Sequence, residues 1–334
     1  MVIFMNVLIL SAGTRNGLIR CFRDSLAASG GRVIAADASS YAPALYEADG
    51  WYLVPLAADA AYLPRVLEIC QKEQIVGLFS LTDPETVFLA EHADAFRSVG
   101  VRVLASPPGP SRLAFDKWEM YRWLCAHGYR CAETWLPREV TRRCAGKGAI
   151  QFPAVVKPRR GSASTDVVFA ATWDSLNACC SRTGDCIIQE YLNGQEIGVD
   201  AYVDFLTGKM VSIFAKRKLR MRAGETDKAV SFQDDGLFLL MEHFLTEAGF
   251  LGPVDIDLFS VDGSYYISEV NPRFGGGYPL AHACGCDFPG LLLNNLAGVP
   301  NQNNIGSYEE GVYMMKYSDV LIRRETELIR RGNP

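Results

Sequence analysis

The 334-residue chain contains no run of 18 apolar residues, which excludes an ordinary membrane-spanning helix. Its apolar first ten residues lack the basic region and the cleavage site of a signal peptide, so we expect a buried strand there. The chain has no basic excess, since 33 Lys and Arg face 38 Asp and Glu, and a formal charge of −5 argues against a nucleic-acid backbone as the main partner. Internal repeats are also absent, which excludes a tandem array.

Three local motifs are missing as well. No C-x-x-C pair occurs among the ten cysteines, and their spacing favours reduced thiols in a cytoplasmic protein over a zinc site or a disulfide framework. No G-x-x-x-x-G-K-[ST] segment occurs, which excludes a Walker phosphate loop. The G-x-G-x-x-G signature is absent, which weakens the nicotinamide-dependent oxidoreductase that residues 11–17 and Asp37 would otherwise suggest.

What is present is the composition of a globular protein, with 49% hydrophobic and 21% charged residues in a length that suits two or three domains. The first hundred residues alternate strand and helix patterns, with strands predicted at 7–10, 32–36, 76–80 and 101–104. This alternation predicts parallel β-α-β units that bind ligands at the carboxyl ends of their strands. A Pro-Gly cluster at 107–110 predicts a linker, followed by a helix that Ser111 caps and Gly128 ends. The remainder has an α+β pattern.

A lysine followed by small residues ends a predicted strand at 154–156. The run Lys157-Pro-Arg-Arg-Gly161-Ser-Ala-Ser164 lets backbone N–H groups approach a polyphosphate while the ammonium neutralises its charge. A surface turn with an unrelated lysine is the alternative that these residues leave open.

Two acids border a strand end and a turn between residues 187 and 197. Tyr191 and Leu192 follow Glu190 and can offer backbone groups and an apolar side chain to an adenine ring. Glu196 can accept hydrogen bonds from ribose hydroxyls. A hairpin with solvated acids is the alternative.

The most specific pattern runs from Asp255 to Arg273 and predicts a β-hairpin that turns at an Asp-Gly pair. Side-chain alternation places Asp255 and Asp257 on one face, and pairing across the turn brings Asp257 beside Glu269, with Asn271 on the same face as Glu269. Adjacent carboxylates repel each other, but Mg²⁺ prefers such oxygen ligands. Arg273 can stabilise negative charge on a transferring phosphoryl group. Exposed strand carboxylates are the alternative.

Five positive charges fall within the seven residues from Lys216 to Arg222. In an extended strand Lys216, Lys218, Arg220 and Arg222 share one face, and clustered cations favour an anionic ligand, whether a phosphate or a substrate carboxylate. A solvated loop is the alternative, and nucleic acid is disfavoured because few aromatic residues interleave. The candidate substrate residues are Arg217, Arg220, Arg222, Gly276 and Gly277, with Thr82, Asp83 and Glu85 at a strand end of the first domain.

The order and spacing of these elements resemble the ATP-grasp superfamily from about residue 107 to residue 300. The resemblance rests on Asp116-Lys117, Val156-Lys157-Pro158, Gln189-Glu190-Tyr191-Leu192, Asp257 and Ser268-Glu269-Val-Asn271-Pro-Arg273. Residues 274–282 resemble the carbamoyl-phosphate synthase large-subunit-like branch, and residues 8–13 and 35–37 resemble the N-terminal domain of that branch. The implied fold is α/β plus α+β. It has a Rossmann-like pre-ATP-grasp domain (1–106), a two-lobed ATP-grasp domain (107–305, with lobes of about 107–188 and 189–305) and a C-terminal tail (306–334).

The resemblance also implies a role for each matching residue. The residues implied to contact the phosphates of ATP are Lys117, Lys157, Gly161, Ser162, Ala163 and Ser164. Those implied to contact adenine are Glu190, Tyr191 and Leu192, and the one implied to contact the ribose is Glu196. The residues implied to bind one or two Mg²⁺ ions, for which Mn²⁺ can substitute, are Asp257, Glu269 and Asn271. The implied catalytic residues are Arg273 and Lys157. Asp257 departs from the Glu or Gln that is common at its position.

The implied activity is that of a stand-alone ligase. ATP phosphorylates a small carboxylate, an amine attacks the acyl phosphate, and ADP and phosphate are released. A full carbamoyl-phosphate synthase subunit has two such units, and no biotin-acceptor segment occurs here. We expect small-molecule substrates, a cytoplasmic location, and neither nucleic acid nor membrane as a partner, with a homodimer left open. A non-catalytic ATP-binding partner or sensor and, more remotely, a dinucleotide-dependent oxidoreductase are the alternatives.

Overall fold

The computed structural model describes residues 5–27, 30–143, 150–161 and 167–329. Within these ranges the strands form sheets of five, four and six strands. The five-stranded sheet precedes the other two along the chain.

The five-stranded sheet is parallel throughout, which confirms the predicted β-α-β units. Its strands are β1 (Asn6–Leu10), β2 (Val33–Asp37), β3 (Gly50–Leu53), β4 (Ile75–Ser80) and β5 (Arg102–Val103). Its helices are α1 (Asn16–Ala27), α2 (Tyr62–Lys72), α3 (Asp83–Glu91) and α4 (Ala93–Arg97), with a 3₁₀ helix at Pro43–Glu47. Strand β3 was not predicted, because four residues that begin with glycine carry no clear period.

The strand order β3-β2-β1-β4-β5 places β1 beside β4 at the centre of this sheet. Leu10 at the end of β1 is paired with Ser80 at the end of β4. The loops that leave these strands therefore start side by side at a topological switch point, where open parallel sheets bind ligands. This position brings residues 11–15 and 81–83 to one edge.

Two helices, α5 (Pro108–Phe115) and α6 (Lys117–Ala126), occupy the segment for which one capped helix was predicted. Asp116 breaks the helix because its extended backbone lets its carboxylate accept from the N–H groups of Trp118 and Glu119, both at 3.2 Å. Ser111 is not a cap: it is buried inside α5 and donates to the Ser106 carbonyl at 2.8 Å. The break places Lys117 at the first position of α6.

The four-stranded sheet is antiparallel and carries the predicted phosphate lysine on one of its central strands. Its order is β6-β9-β7-β8, with the hinge residues at the end of β9. The elements are β6 (Thr134–Trp135), α7 (Pro137–Arg143), β7 (Ala154–Pro158), β8 (Val168–Ala170), α8 (Trp173–Thr183) and β9 (Cys186–Glu190).

The six-stranded sheet is antiparallel and has the order β14-β13-β10-β11-β12-β15. Its strands are β10 (Gln195–Val203), β11 (Met210–Arg222), β12 (Glu225–Phe232), β13 (Gly252–Val261), β14 (Ser264–Asn271) and β15 (Tyr313–Met315). The accompanying helices are α9 (Asp235–Ala248), α10 (Tyr278–Ala283), α11 (Phe288–Leu296) and α12 (Glu325–Ile329). Strand β15 comes from the segment predicted as a polar tail and pairs with β12 at the sheet edge.

A shared hydrophobic core joins the first sheet to the six-stranded sheet. Phe22 of α1 lies 5.1 Å from Phe79 of β4 and 5.5 Å from Phe274, measured between ring centroids. Phe274 in turn lies 4.9 Å from Tyr278 of α10. This packing holds the switch-point edge of the first sheet against the residues that follow β14.

In the part of the chain that the structure describes, no helix is long and apolar enough to cross a membrane. The nine cysteines in that part form no disulfide.

A buried carboxylate organises the turn between β10 and β11. Asp204 accepts from the side-chain amides of Asn295 and Asn301 at 2.8 Å, and from the N–H groups of Leu206 and Thr207 at 2.9 Å. Although burial alone would raise it, these hydrogen bonds lower the pKa of Asp204 to about 2. The ionised form is therefore the one that the folded state stabilises.

We expect Asp204→Ala to lower the free energy of unfolding by about 3 kcal/mol at pH 7, because several buried donors lose their acceptor. Since the folded pKa lies below the ordinary value of 3.8, this stabilisation is complete above pH 4 and disappears as the pH falls towards 2. Urea unfolding of both proteins at several pH values measures the difference. Asp94→Ala, in an exposed pair with Arg97, is the control and should change little. A difference that stayed constant down to pH 2 would contradict the assignment.

Candidate active site

A cavity of about 210 Å³ lies where the switch-point edge of the first sheet meets the six-stranded sheet. The first sheet contributes residues from the loops after β1 and β4, and the six-stranded sheet contributes charged residues from four strands. The residues that line the cavity include Ser11, Gly13, Arg15, Thr82, Lys218, Glu225, Asp255, Asp257, Glu269, Asn271, Arg273, Gly276 and Gly277.

The predicted carboxylate hairpin forms β13 and β14, and its turn uses the left-handed conformations of Asp262 and Gly263. Asp257 pairs with Glu269, as predicted, and Asp255 pairs with Asn271. These residues line the cavity together. Burial, with a smaller contribution from Asp257, raises the pKa of Asp255 to about 6. The hairpin thus concentrates negative charge on one wall.

The oxygen atoms on this wall fit a hard divalent cation that takes its remaining ligands from phosphates and water. Asp257, Glu269 and Asn271 supply two carboxylates and one amide from adjacent strands. Among the described residues, no group of three or more His, Cys, Asp or Glu side chains that could hold a metal ion occurs. The predicted set has only two carboxylates, so phosphates and water would have to supply the other ligands of Mg²⁺.

Lys218 joins two of the predicted ligand-binding acids. Its Nζ lies 2.6 Å from an Asp257 oxygen and donates to Glu196 at 2.9 Å. Burial alone would lower the pKa of Lys218, but Asp257 and Glu196 together raise it above the ordinary value. Sequence reasoning placed Lys218 only within the basic stretch. The structure makes it the cation between the predicted ribose acid and a predicted metal ligand.

The two predicted phosphate lysines approach the same carboxylate. Lys117 Nζ lies 3.7 Å from Glu269 Oε1 and donates to the Gly161 carbonyl at 2.7 Å. Lys157 is buried on β7, and burial lowers its pKa while Glu269 opposes that shift. Ser162, Ala163 and Ser164 of the predicted phosphate loop lie outside the described residues.

The predicted hinge connects the four-stranded and six-stranded sheets. Glu190 binds the backbone of Glu133 twice, accepting from its N–H through Oε1 and donating its own N–H to the carbonyl, both at 2.9 Å. The exposed ring of Tyr191 lies 5.9 Å from that of Phe169 on β8. Residues 190–192 lead from β9 towards β10, and Leu192 is half-buried.

Arg273 follows the hairpin and connects it to the first sheet. Its Nε lies 3.1 Å from Asp83 Oδ1, and its NH1 donates to Asp255 Oδ2 at 3.3 Å. Although burial lowers it, Asp83 and Asp255 raise the pKa of Arg273 above its ordinary value. Thr82 lines the cavity, whereas Glu85 is buried behind it and accepts from Tyr62 and Ser80.

The predicted substrate residues divide into two groups. Gly276 and Gly277 line the cavity. Among the described residues, the cavity lining does not include Arg217, Arg220 or Arg222, contrary to expectation. Arg217 lies over the ring of Phe232, and Arg220 and Arg222 are exposed near Asp227.

Arg220 and Arg222 lie outside the cavity because the alternation of side chains between the two faces of β11 is broken. The register shifts between Lys218 and Arg220, and again between Arg220 and Met221. The face that begins with Lys218 therefore continues with Met221, which lines the cavity. Sequence reasoning missed Arg15 and Glu225, and the one available signal was that Arg15 follows a strand end at the centre of a parallel sheet.

Comparison with family models gives two matches. Residues 7–104 match the PylC-like, N-terminal domain, and residues 114–277 match the ATP-grasp domain. No curated protein matches the chain.

Solved structures share the fold at low sequence identity. The biotin carboxylase domain of 2-oxoglutarate carboxylase from Hydrogenobacter thermophilus, solved with MgADP, ADP and bicarbonate, is 15% identical at a TM-score of 0.73, covering 93% of this chain and 73% of that one. N5-carboxyaminoimidazole synthetase from Staphylococcus aureus with ADP is 15% identical at 0.71, covering 90% and 80%. L-amino acid ligase from Bacillus licheniformis is 19% identical at 0.67, covering 89% and 75%.

The family matches cover the segments that hold the cavity residues of the first sheet and of the hairpin. ATP-grasp enzymes use ATP and Mg²⁺, in keeping with the oxygen ligands at the cavity and with Lys117 near Glu269. The fold predicted from the resemblance is confirmed, with a PylC-like domain in the N-terminal position. Residues 114–277 therefore belong to the ATP-grasp domain family, and a PylC-like N-terminal domain precedes them.

Proposed function

We propose that this enzyme is an ATP- and Mg²⁺-dependent ligase that joins a small carboxylic acid to an amine. One observation carries the proposal: three cations from three parts of the chain interact with Glu269. Lys117 Nζ lies 3.7 Å from its carboxylate, and the charge of Glu269 acts on Lys157 and Arg273. Three cations around an acidic wall suit a triphosphate and its metal better than they suit an apolar ligand.

The proposed reaction has two chemical steps. The substrate carboxylate attacks the γ-phosphorus of ATP, an acyl phosphate forms, and ADP leaves. The amine then attacks the acyl carbon, phosphate leaves, and the nitrogen loses a proton, which gives an amide. Phosphorylation is needed because a carboxylate is a poor electrophile and oxide is a poor leaving group.

Each of the predicted ATP and metal ligands has a role in this scheme. Lys117 and Lys157 bind the phosphates, and Arg273 stabilises charge on the transferred phosphoryl group, held in place by Asp83 and Asp255. Asp257, Glu269 and Asn271 would hold Mg²⁺, which when bound neutralises phosphate charge. Glu190, Tyr191 and Leu192 bind adenine, Glu196 binds the ribose, and Gly161 begins the loop that covers the phosphates.

The oxidoreductase alternative is disfavoured by the position of Asp37. Its two carboxylate oxygens accept from the N–H groups of Gly13 at 2.8 Å and Ser39 at 2.9 Å, so they stabilise the turn after β1. A non-catalytic ATP sensor transfers no phosphoryl group, so Arg273 would have no charge of a transferred group to stabilise. Small-molecule partners, a cytoplasmic location, a homodimer and the domain limits at residues 106 and 305 stay predictions.

The test is release of ADP and phosphate in the presence of Mg²⁺ and ATP, measured against panels of small acids and amines. We expect release that requires Mg²⁺, one acid and one amine, with mass spectrometry showing a product that has lost one water relative to the two substrates. Omission of each component in turn is the control. Binding of ATP without release for any pair would favour the sensor, and tighter binding of a nicotinamide cofactor than of ATP would favour the oxidoreductase.

A further inference from the structure

Three charged groups from distant parts of the chain lie in contact, and two of them, Arg15 and Glu225, line the cavity. Arg15 NH1 lies 2.9 Å from Glu225 Oε1, and Lys316 Nζ donates to Glu225 Oε2 at 2.7 Å. Two cations thus share one carboxylate, while Asp255 and Asp83 also act on the charge of Arg15. A cation that shares its carboxylate partner with a second cation is able to bind an anionic ligand.

The Arg15 guanidinium has unused hydrogen-bonding capacity. Its NH1 atom is buried, and within the described part of the chain it makes no hydrogen bond of acceptable geometry, even though Glu225 is close. Burial lowers the pKa of Arg15, so its charge is poorly solvated. A ligand oxygen in the cavity would supply the missing acceptor.

Gly276 provides the space in which this guanidinium lies. A Cβ atom at Gly276 would lie 2.2 Å from Arg15 NH1 and 2.9 Å from Glu225 Oε2. The backbone of Gly276 is not in the left-handed region, so the requirement for glycine here is one of space. Gly276 and Arg15 therefore shape the same part of the cavity wall.

We propose that Arg15 binds a second anionic group, a carboxylate, on one of the two substrates, and thereby selects substrates that carry it. The inference rests on the proposed ligase function. In the ligand-free cavity Glu225 pairs with Arg15. When the substrate binds, its carboxylate replaces Glu225 as the partner of Arg15, while Glu225 stays paired with Lys316. The carboxylate belongs either to the acid, which is then a dicarboxylic acid, or to the amine, which is then an amino acid.

The test compares matched probes in the ADP-release assay. One arm compares succinate with butyrate as the acid, and the other compares L-alanine with L-alaninamide as the amine. We expect wild-type enzyme to prefer the carboxylate-bearing member in one arm, which identifies the substrate concerned. Arg15→Met should lower kcat/KM for that member at least ~10-fold without affecting the other, and Arg15→Lys should restore part of the preference. Arg20→Met, which removes an exposed pair with Glu47 on α1, is the control.

Calorimetric binding of the same probes, with Mg²⁺ and a non-hydrolysable ATP analogue, separates this inference from the proposed function. If binding prefers the carboxylate-bearing probe and this preference depends on Arg15, but no ADP is released, the proposed ligase function would be wrong and the anion site would stand. No preference in the wild type, or an unchanged preference in Arg15→Met, would overturn the anion site. Gly276→Ala should reproduce the Arg15→Met result because it displaces the guanidinium.

Discussion

Glu269→Gln is expected to lower kcat for ADP release at least ~100-fold. The change keeps the shape of the side chain and removes one negative charge. That charge faces Lys117 at 3.7 Å and opposes the effect of burial on Lys157, so both lysines lose a partner that positions them. The proposed Mg²⁺ site loses one of its two carboxylates at the same time. A charge that serves metal and lysines together should affect turnover more than stability.

The measurement is steady-state ADP release over a range of Mg²⁺ concentrations. The Mg²⁺ concentration needed for half-maximal rate should rise as well, because a neutral amide is a weaker ligand than a carboxylate. Glu242→Gln, at an exposed position on α9, is the matched control. Full turnover by Glu269→Gln at the wild-type Mg²⁺ requirement would remove Glu269 from the metal site.

Arg273→Met is expected to reduce turnover about 1,000-fold and also to destabilise the fold. Arg273 is buried and paired with Asp83 and Asp255, so its removal leaves two carboxylates without their cation. Breaking a buried ion pair in this way costs about 3–5 kcal/mol. The pKa of Asp255, already raised to about 6, should rise further because Arg273 opposes that shift.

Arg273→Lys separates the two effects. A lysine keeps the charge but offers no planar group that can reach both acids, so stability should recover in part while turnover stays low. Urea unfolding gives the stability, and ADP release by the folded fraction gives the turnover. Arg97→Met, an exposed change on α4, should leave both quantities unchanged. Wild-type turnover in folded Arg273→Met would show that Arg273 only joins the two sheets.

The parts of this molecule that sequence reasoning predicted are those with local signals. The central strands of the first sheet appear as apolar runs, and the Asp-Gly turn predicts the hairpin. The pairing of Asp257 with Glu269 also depends on a register shift between Asp257 and Leu258, because the register of the turn alone would pair Asp257 with Ser268. The prediction that Lys216, Lys218, Arg220 and Arg222 share one face was wrong because two shifts in register interrupt β11, and a bulge has no reliable pattern in a single sequence.

Contacts between distant segments had no signal at all. Arg15 and Glu225 are 210 positions apart, and their 2.9 Å contact depends on how the first sheet packs against the second lobe. Lys218 was visible as a cation, but its position between Glu196 and Asp257 follows from the strand order β13-β10-β11. Such positions depend on topology, which composition and periodicity do not specify.

The pairing of Glu225 with Lys316 has a consequence for synthesis on the ribosome. The first sheet is complete once residue 103 has emerged, and the carboxylate hairpin is complete at residue 271. The segment after β12 returns only later, when β15 pairs with β12 and Arg323 lies over the ring of Tyr46 at 5.5 Å. A nascent chain that ends before residue 313 therefore has the hairpin, but its Glu225 lacks Lys316 as a partner. The second cation of the proposed anion site is in place only after residue 316 has emerged from the ribosome.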